Sequence, residues 1–185
     1  MIKVAITGNI ASGKSIFENY LLEHGFKVFD TDTIAHEILE NSQDVRDAFN
    51  MDRIDRKKLG EIVFQDKKKL KILENIIHPK VKEKILEIFE NNQDEKYVFI
   101  SVPQLFESGF DKFFDKIILV KAGEIVRLER LKKRNNLSEE EAQIRIKSQI
   151  PEDEKIKKSD YIINNNSTLD AYFKGIEEFM CNIKY

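Results

Sequence analysis

The sequence predicts an α/β fold, a parallel sheet of about five strands with helices on both faces, in three layers. Three observations predict it. Short apolar runs of strand length recur along the 185 residues. Segments with helical spacing separate them, and parallel strands need such crossovers. Between the first apolar run and the first helical segment lies Gly8-Asn9-Ile10-Ala11-Ser12-Gly13-Lys14-Ser15, which fits G-x-x-x-x-G-K-[ST] at every fixed position.

The elements follow in order. Ile2, Val4, Ala5 and Ile6 make the first strand. After the glycine-rich run, Phe17, Tyr20, Leu21 and His24 recur at helical spacing, and Gly25 closes that helix. Lys27-Val28-Phe29 is the second strand and ends in Asp30-Thr31-Asp32. Residues 33–95 read as all-helical, with Leu59, Ile62, Val63, Leu70, Leu73 and Ile77 carrying the period. Pro79 suits the first position of a further helix bearing Val81, Ile85, Ile88 and Phe89. A connection this long is a subdomain or a substrate cover. Tyr97 to Val102 is the third strand, stopped by Pro103, and Lys116 to Val120 the fourth. Residues 124–158 form a second excursion, with a break at Asn135-Asn136 and a capping box from Ser138 to Glu141. Two arginine-rich helices with a polar joint are what a movable lid needs. Tyr161-Ile162-Ile163 is the fifth strand, running into Asn164-Asn165-Asn166. Leu169, Tyr172, Phe173, Ile176, Phe179 and Ile183 form the apolar stripe of a last helix. The expected organisation is one domain, with a core (1–32, 96–123, 159–185), a helical insertion (33–95) and a lid (124–158).

Composition narrows the partners. Charged residues are 35%, apolar residues 41%, and the net charge is −2, so no basic field points to nucleic acid or a membrane surface. No apolar run is long enough to span a bilayer. Cys181 is the sole cysteine, so no internal disulfide forms. Met1-Ile2-Lys3 leads straight into the first strand, and no signal peptide is read. These features fit a cytoplasmic protein, expected as a monomer.

The glycine-rich run is an anion site by construction. Backbone N–H groups of the loop and first helical turn lack intrahelical partners and can turn to phosphate oxygens. Lys14 adds a charge for the β- and γ-phosphates, and the Ser15 hydroxyl is placed to ligate Mg²⁺. Ligands of open α/β sheets bind outside the carboxyl ends of the strands, where the second strand delivers Asp30 and Asp32. On an extended segment the two carboxylates share a face and suit an acceptor-orienting base and a metal. Equally, Asp32 or Thr33 suits the N-cap of the following helix. Arg127, Arg130, Lys132, Lys133 and Arg134 form a basic cluster, with Arg145 and Gln149 four apart on the next helix. Lys132 and Lys133 read as a solvated face; Arg134 and Arg145 suit closure over a polyphosphate. His78 before Pro79 is either a substrate ligand or an exposed helix-start residue. The third strand lacks the terminal Asp of a GTPase or ATPase metal site, and no N-K-x-D motif or second glycine-rich run follows. These absences favour a small-molecule kinase.

Several blocks, taken together, carry a resemblance. They are Ile6-Thr7 with residues 8–15, Phe29 to Asp32 with Ile34-Ala35, Arg56 to Phe64, Ile77-His78-Pro79, Val102-Pro103 to Glu107, Arg127 to Arg134, Arg145 with Gln149, and Ser159 to Asn164. In this order, and over nearly its full length, the chain resembles the dephospho-coenzyme A kinase family. The resemblance implies a P-loop kinase fold and transfer of phosphate from ATP, with Mg²⁺, to the ribose 3′-hydroxyl of dephospho-coenzyme A, the last step of coenzyme A synthesis. It implies Asp32 as base, with Lys14 and Arg134 at the transferred group. Gly8, Ala11, Ser12, Gly13, Lys14, Ser15, Ile16 and Arg145 would hold the nucleotide, and Asp30, Asp32, His78 and Pro103 the acceptor. Asn9 and Ala11 stand where the family often has glycine, His36 where it often has arginine, Gln104 where leucine is common, and Asn166-Ser167 in place of an Asn-Gly-like turn. The rival readings are a kinase for a nucleoside or sugar-like acid, and a nucleotide-binding switch without catalysis.

Overall fold

The computed structural model describes residues 1–183, with side chains to Asn182, so the expectation for the Ile183 side chain lies outside what is described. The elements run β1 (Ile2–Thr7), α1 (Lys14–Glu23), β2 (Lys27–Asp30), α2 (Thr31–Asn41), α3 (Gln43–Phe49), α4 (Arg56–Gln65), α5 (Lys67–Asn91), β3 (Tyr97–Ser101), β4 (Lys116–Lys121), α6 (Glu124–Asn135), α7 (Glu139–Lys147), α8 (Glu152–Lys157), β5 (Tyr161–Asn164) and α9 (Leu169–Ile183). A 3-10 turn at Asp111–Phe113 precedes β4. The five expected strands are all present, in one sheet of order β2-β3-β1-β4-β5. β1 pairs in parallel with β3 and β4, and β4 with β5. The register sets Ile6 against Ser101, Thr7 against Leu119 and Val120 against Ile163. β1 is therefore the central strand, where the order of the chain reverses, and the residues after Thr7 emerge at the switch point of the sheet.

The described residues fall into two compact units: Met1–Phe29 with the chain from Asp94 onward, and Asp30–Gln93. In the first unit, Val4, Ile6, Phe99, Ile118 and Val120 of the sheet pack with Phe17 and Leu21 of α1 and Tyr172 and Ile176 of α9. Phe17 meets Phe179 edge to face, with ring centroids 5.8 Å apart. This core fixes the entry to α1 from behind. Residues 124–158 cluster with the sheet in the same unit. They hold three helices where two were expected, because Pro151 opens the short α8.

In the second unit α5 packs against α2, α3 and α4. The structure corrects the expected helix start at Pro79. α5 is one helix of 25 residues and Pro79 lies inside it. A proline there removes one ladder hydrogen bond and crowds the carbonyl four residues back. Burial on both sides outweighs this. Ile77, Val81, Ile85, Ile88 and Phe89 form one buried stripe that runs past Pro79. His78 is thus a half-buried mid-helix residue rather than a helix-start one, and burial lowers its pKa below the usual histidine value.

Candidate active site

The loop after β1 is built for backbone approach. Ser12 N–H donates to the Asn9 carbonyl at 3.0 Å and closes a turn. Ala11 and Gly13 take φ of 62° and 93°. Alternation of ordinary and left-handed residues turns successive N–H groups to one side, which makes an anion nest. The two motif glycines have different reasons. A Cβ on Gly8 would lie 2.5 Å from Ser12 Oγ and 2.7 Å from the Val120 carbonyl. A Cβ on Gly13 would lie 2.1 Å from Asn165 Nδ2, on top of its positive φ. Tyr172, whose phenol pKa burial raises, donates to the Gly13 carbonyl at 3.1 Å.

Lys14 opens α1, and its ammonium bonds Glu18 Oε1 at 2.6 Å and the Ser101 hydroxyl at the end of β3. The motif lysine is thereby held at the carboxyl edge of the sheet. Ser15 follows with an exposed side chain, and Ile16 packs against the core. The next turn of chain after β3 is fixed through Pro103. Its carbonyl accepts from Thr7 Oγ1 and from Lys155 Nζ, both at 3.4 Å. Lys155 is fully buried and pairs with Glu107 at 3.2 Å. Burial lowers its pKa below the usual lysine value, against the opposing pull of Glu107.

The basic cluster of α6 divides. Arg127 is buried and its Nε donates to the Ala122 carbonyl at 2.9 Å. Arg130 reaches the loop: Nη1 lies 3.5 Å from the Ser12 carbonyl, and Nη2 donates to the Asn165 carbonyl and Oδ1 at 3.1 Å. Asn165 Nδ2 donates to the Ser12 carbonyl at 2.8 Å. Arg130 and Asn165 were missing from the expected site. The i, i+3, i+7 spacing of Arg127, Arg130 and Arg134 puts them on one helix face, and that was the available signal. Lys132 pairs with Glu139 at 3.0 Å on the surface, as expected of a solvated face. Arg134, whose Nε donates to Asn135 Oδ1 at 2.9 Å, and Arg145 are exposed. Arg145 and Gln149 do not share a helix face, because α7 ends at Lys147. Gln149 turns to the loop instead, where its Oε1 accepts from the Ile10 N–H at 2.7 Å.

Asp30, Asp32 and His78 belong to the second unit. The N-cap expected at Asp32 or Thr33 is Asp30, whose Oδ1 accepts from the Asp32 N–H at 2.9 Å. The helix starts at Thr31, so the pair does not lie on one extended segment. Asp30 caps, and Asp32 is an exposed carboxylate in the first turn. The same unit holds a cavity of about 600 Å³, lined by His36, Arg56 and Lys57 and by Leu39, Leu59 and Val63. Arg56 bonds His36 Nε2 at 2.9 Å.

A Mg²⁺ fits the donor chemistry here only in one way. Among the described residues no group of three His, Cys, Asp or Glu could hold a metal ion. An exposed serine hydroxyl next to a nest of amides suits a hard cation that keeps several waters and takes phosphate oxygens from a nucleotide.

Comparisons with known proteins identify the family and the fold. The family profile described as dephospho-CoA kinase matches residues 2–171. A dephospho-CoA kinase of Fusobacterium nucleatum is 46% identical over 185 residues, covering 95% of each chain. The solved dephospho-CoA kinase from Campylobacter jejuni superposes with a TM-score of 0.77 at 36% identity, covering 98% of this chain and 96% of the other. A shikimate kinase from Bacteroides thetaiotaomicron, at 12% identity and a TM-score of 0.61, shares the fold, with 100% and 99% of the two chains covered. On a match spanning nearly the whole chain, and on a phosphate loop whose every motif residue is in place, the chain belongs to the dephospho-CoA kinase family.

Proposed function

We propose that this chain transfers the γ-phosphoryl group of ATP to the ribose 3′-hydroxyl of dephospho-coenzyme A, giving ADP and coenzyme A. The observation that carries the reading is the family match over residues 2–171, joined to an intact phosphate loop. Loop amides of Ala11, Gly13, Lys14 and Ser15 and the Lys14 ammonium bind the phosphates. Mg²⁺ held through the Ser15 hydroxyl would neutralise phosphate charge. Asp32 takes the proton of the acceptor hydroxyl as the new P–O bond forms and the bond to the β-phosphate bridging oxygen breaks. Arg134 and Arg145, at the ends of two helices of residues 124–158, neutralise charge when that segment closes as a lid, which also excludes water. Residues 33–95 act as the acceptor subdomain. Its cavity is lined by the cations Arg56 and Lys57, by His36 and by apolar side chains, a combination that suits an acceptor with a diphosphate and an aliphatic arm. Asp30, His78 and Pro103 serve the acceptor side. The setting is cytoplasmic and the active form a monomer.

Two measurements test this. ADP release from ATP should require dephospho-coenzyme A; brisk transfer to a nucleoside without transfer to that acceptor overturns the assignment. Asp32→Asn should lower kcat by about 10² to 10⁴. The cap is Asp30, so helix α2 keeps its N-terminus in this variant. Full activity in Asp32→Asn removes the assigned base.

A further inference from the structure

Two hydrogen bonds tie the outer turn of the phosphate loop to the segment that joins α7 to α8. The Ile10 N–H donates to Gln149 Oε1 at 2.7 Å, and Asn9 Nδ2 donates to the Ile150 carbonyl at 3.4 Å. Both flank the turn closed by Ser12 N–H on the Asn9 carbonyl. Ala11 is the third residue of that turn, with φ of 62°. A β-turn with positive φ at its third position favours glycine, since a Cβ there crowds the backbone. Alanine leaves the turn strained, and such a conformation persists only where its surroundings over-determine it. The surroundings are on view. Ile10 and Ala11 pack against the buried cluster of Leu131, Ala142 and Ile146 on α6 and α7. Gln149 supplies a polar anchor to the Ile10 N–H of the turn. Its own N–H is used on the Ile146 carbonyl, which fixes where its side chain starts.

We propose that Gln149 is a positioning residue for nucleotide binding: by accepting the Ile10 N–H it holds Ala11 in the left-handed conformation that aims the following amides at phosphate. This rests on the reading of the loop as the ATP site and adds to it a residue outside the motif. It also couples the loop to residues 124–158, so displacement of that segment releases the clip. A side chain that merely solvates the end of α7 would act regardless of which residue stands at position 11. A positioning residue would not.

The test is an ATP titration without acceptor, on Gln149→Ala and Gln149→Met, each in the parent chain and in an Ala11→Gly background. With alanine at 11, loss of the acceptor oxygen should weaken ATP binding about five- to tenfold. With glycine at 11, which takes the positive φ unaided, the same substitutions should cost less than about twofold. Gln149→Met keeps the side-chain length and replaces the amide, with its acceptor oxygen, by a thioether, so it reports even if Gln149→Ala unfolds, as judged by the thermal midpoint. Unchanged ATP affinity in the parent background, or an equal loss in both backgrounds, overturns the proposal. With no acceptor present, a wrong acceptor assignment leaves this titration intact and shows instead as a parent without turnover. A parent that fails to bind ATP overturns the nucleotide reading and this proposal together.

Discussion

At the scale of single residues, Gly13 shows how a motif position and a distant side chain define each other. Its φ of 93° alone favours glycine, and Asn165 Nδ2 occupies the place where a Cβ would sit. Gly13→Ala therefore meets two separate penalties, one in the backbone and one against Asn165. ATP affinity should fall by at least about tenfold, with the far-ultraviolet circular dichroism of the parent retained. Adding Asn165→Ala should recover part of the loss, the part owed to the collision, and leave the part owed to φ. Titrations on the parent and the two variants check this; a Gly13→Ala protein that binds ATP as the parent does would show that the loop shifts freely. The placement of Gly8, Gly13, Lys14 and Ser15 was legible because it is local to one strand–loop–helix. The contacts that Asn165, Arg130 and Gln149 make with the loop were not, because each reaches it from a different later element and a single sequence does not say which polar side chains a fold brings back.

At the scale of elements, α5 is where the sequence misled and packing explains why. Proline before a run of apolar residues reads as a helix start, since its missing N–H is harmless there. The stripe from Ile77 to Phe89 is buried on both sides of Pro79, and that burial carries the helix through it. The lost bond to the Asn75 carbonyl remains as a local penalty. Pro79 is exposed, so replacing it disturbs little packing. Pro79→Ala should raise stability by about 1–2 kcal/mol, the interior-helix penalty of proline less its advantage in restricting the unfolded chain. Thermal unfolding followed by circular dichroism measures it; a lower midpoint would mean that the proline's local distortion is needed by the packing of α5. A similar local reading failed at the start of α2. Asp30, Asp32 and Thr33 all suit a cap by type, and the choice fell to Asp30 because β2 stays extended up to that residue.

At the scale of the whole molecule, the sheet was legible because each strand is a short apolar run and the crossovers carry helical period. Its strand order was not, since no local pattern says which strand is central. Buried charge was also invisible, because Lys155 and Glu152 sit in a run of acidic and basic residues that reads as solvated. Lys155 is fully buried, while Glu152 is half-buried and its Oε1 accepts from the Ala122 N–H at 3.3 Å. Burial raises the Glu152 pKa above the usual 4.5, and the nearby Arg127 charge only partly opposes it. The sign follows from linkage. Between 4.5 and the raised folded value the native state holds more protons than the unfolded one, so stability falls as pH rises through that window. Below 4.5 the effect is absent; above the folded value it is fully developed. Glu152→Gln keeps an oxygen for the Ala122 N–H and cannot ionise. The variant should therefore match the parent in thermal midpoint near pH 4.5 and exceed it at pH 8, with the difference opening across the window. A variant less stable than the parent at pH 8 would show that attraction to Arg127 outweighs the desolvation of this carboxylate, and the sign argued here would be wrong.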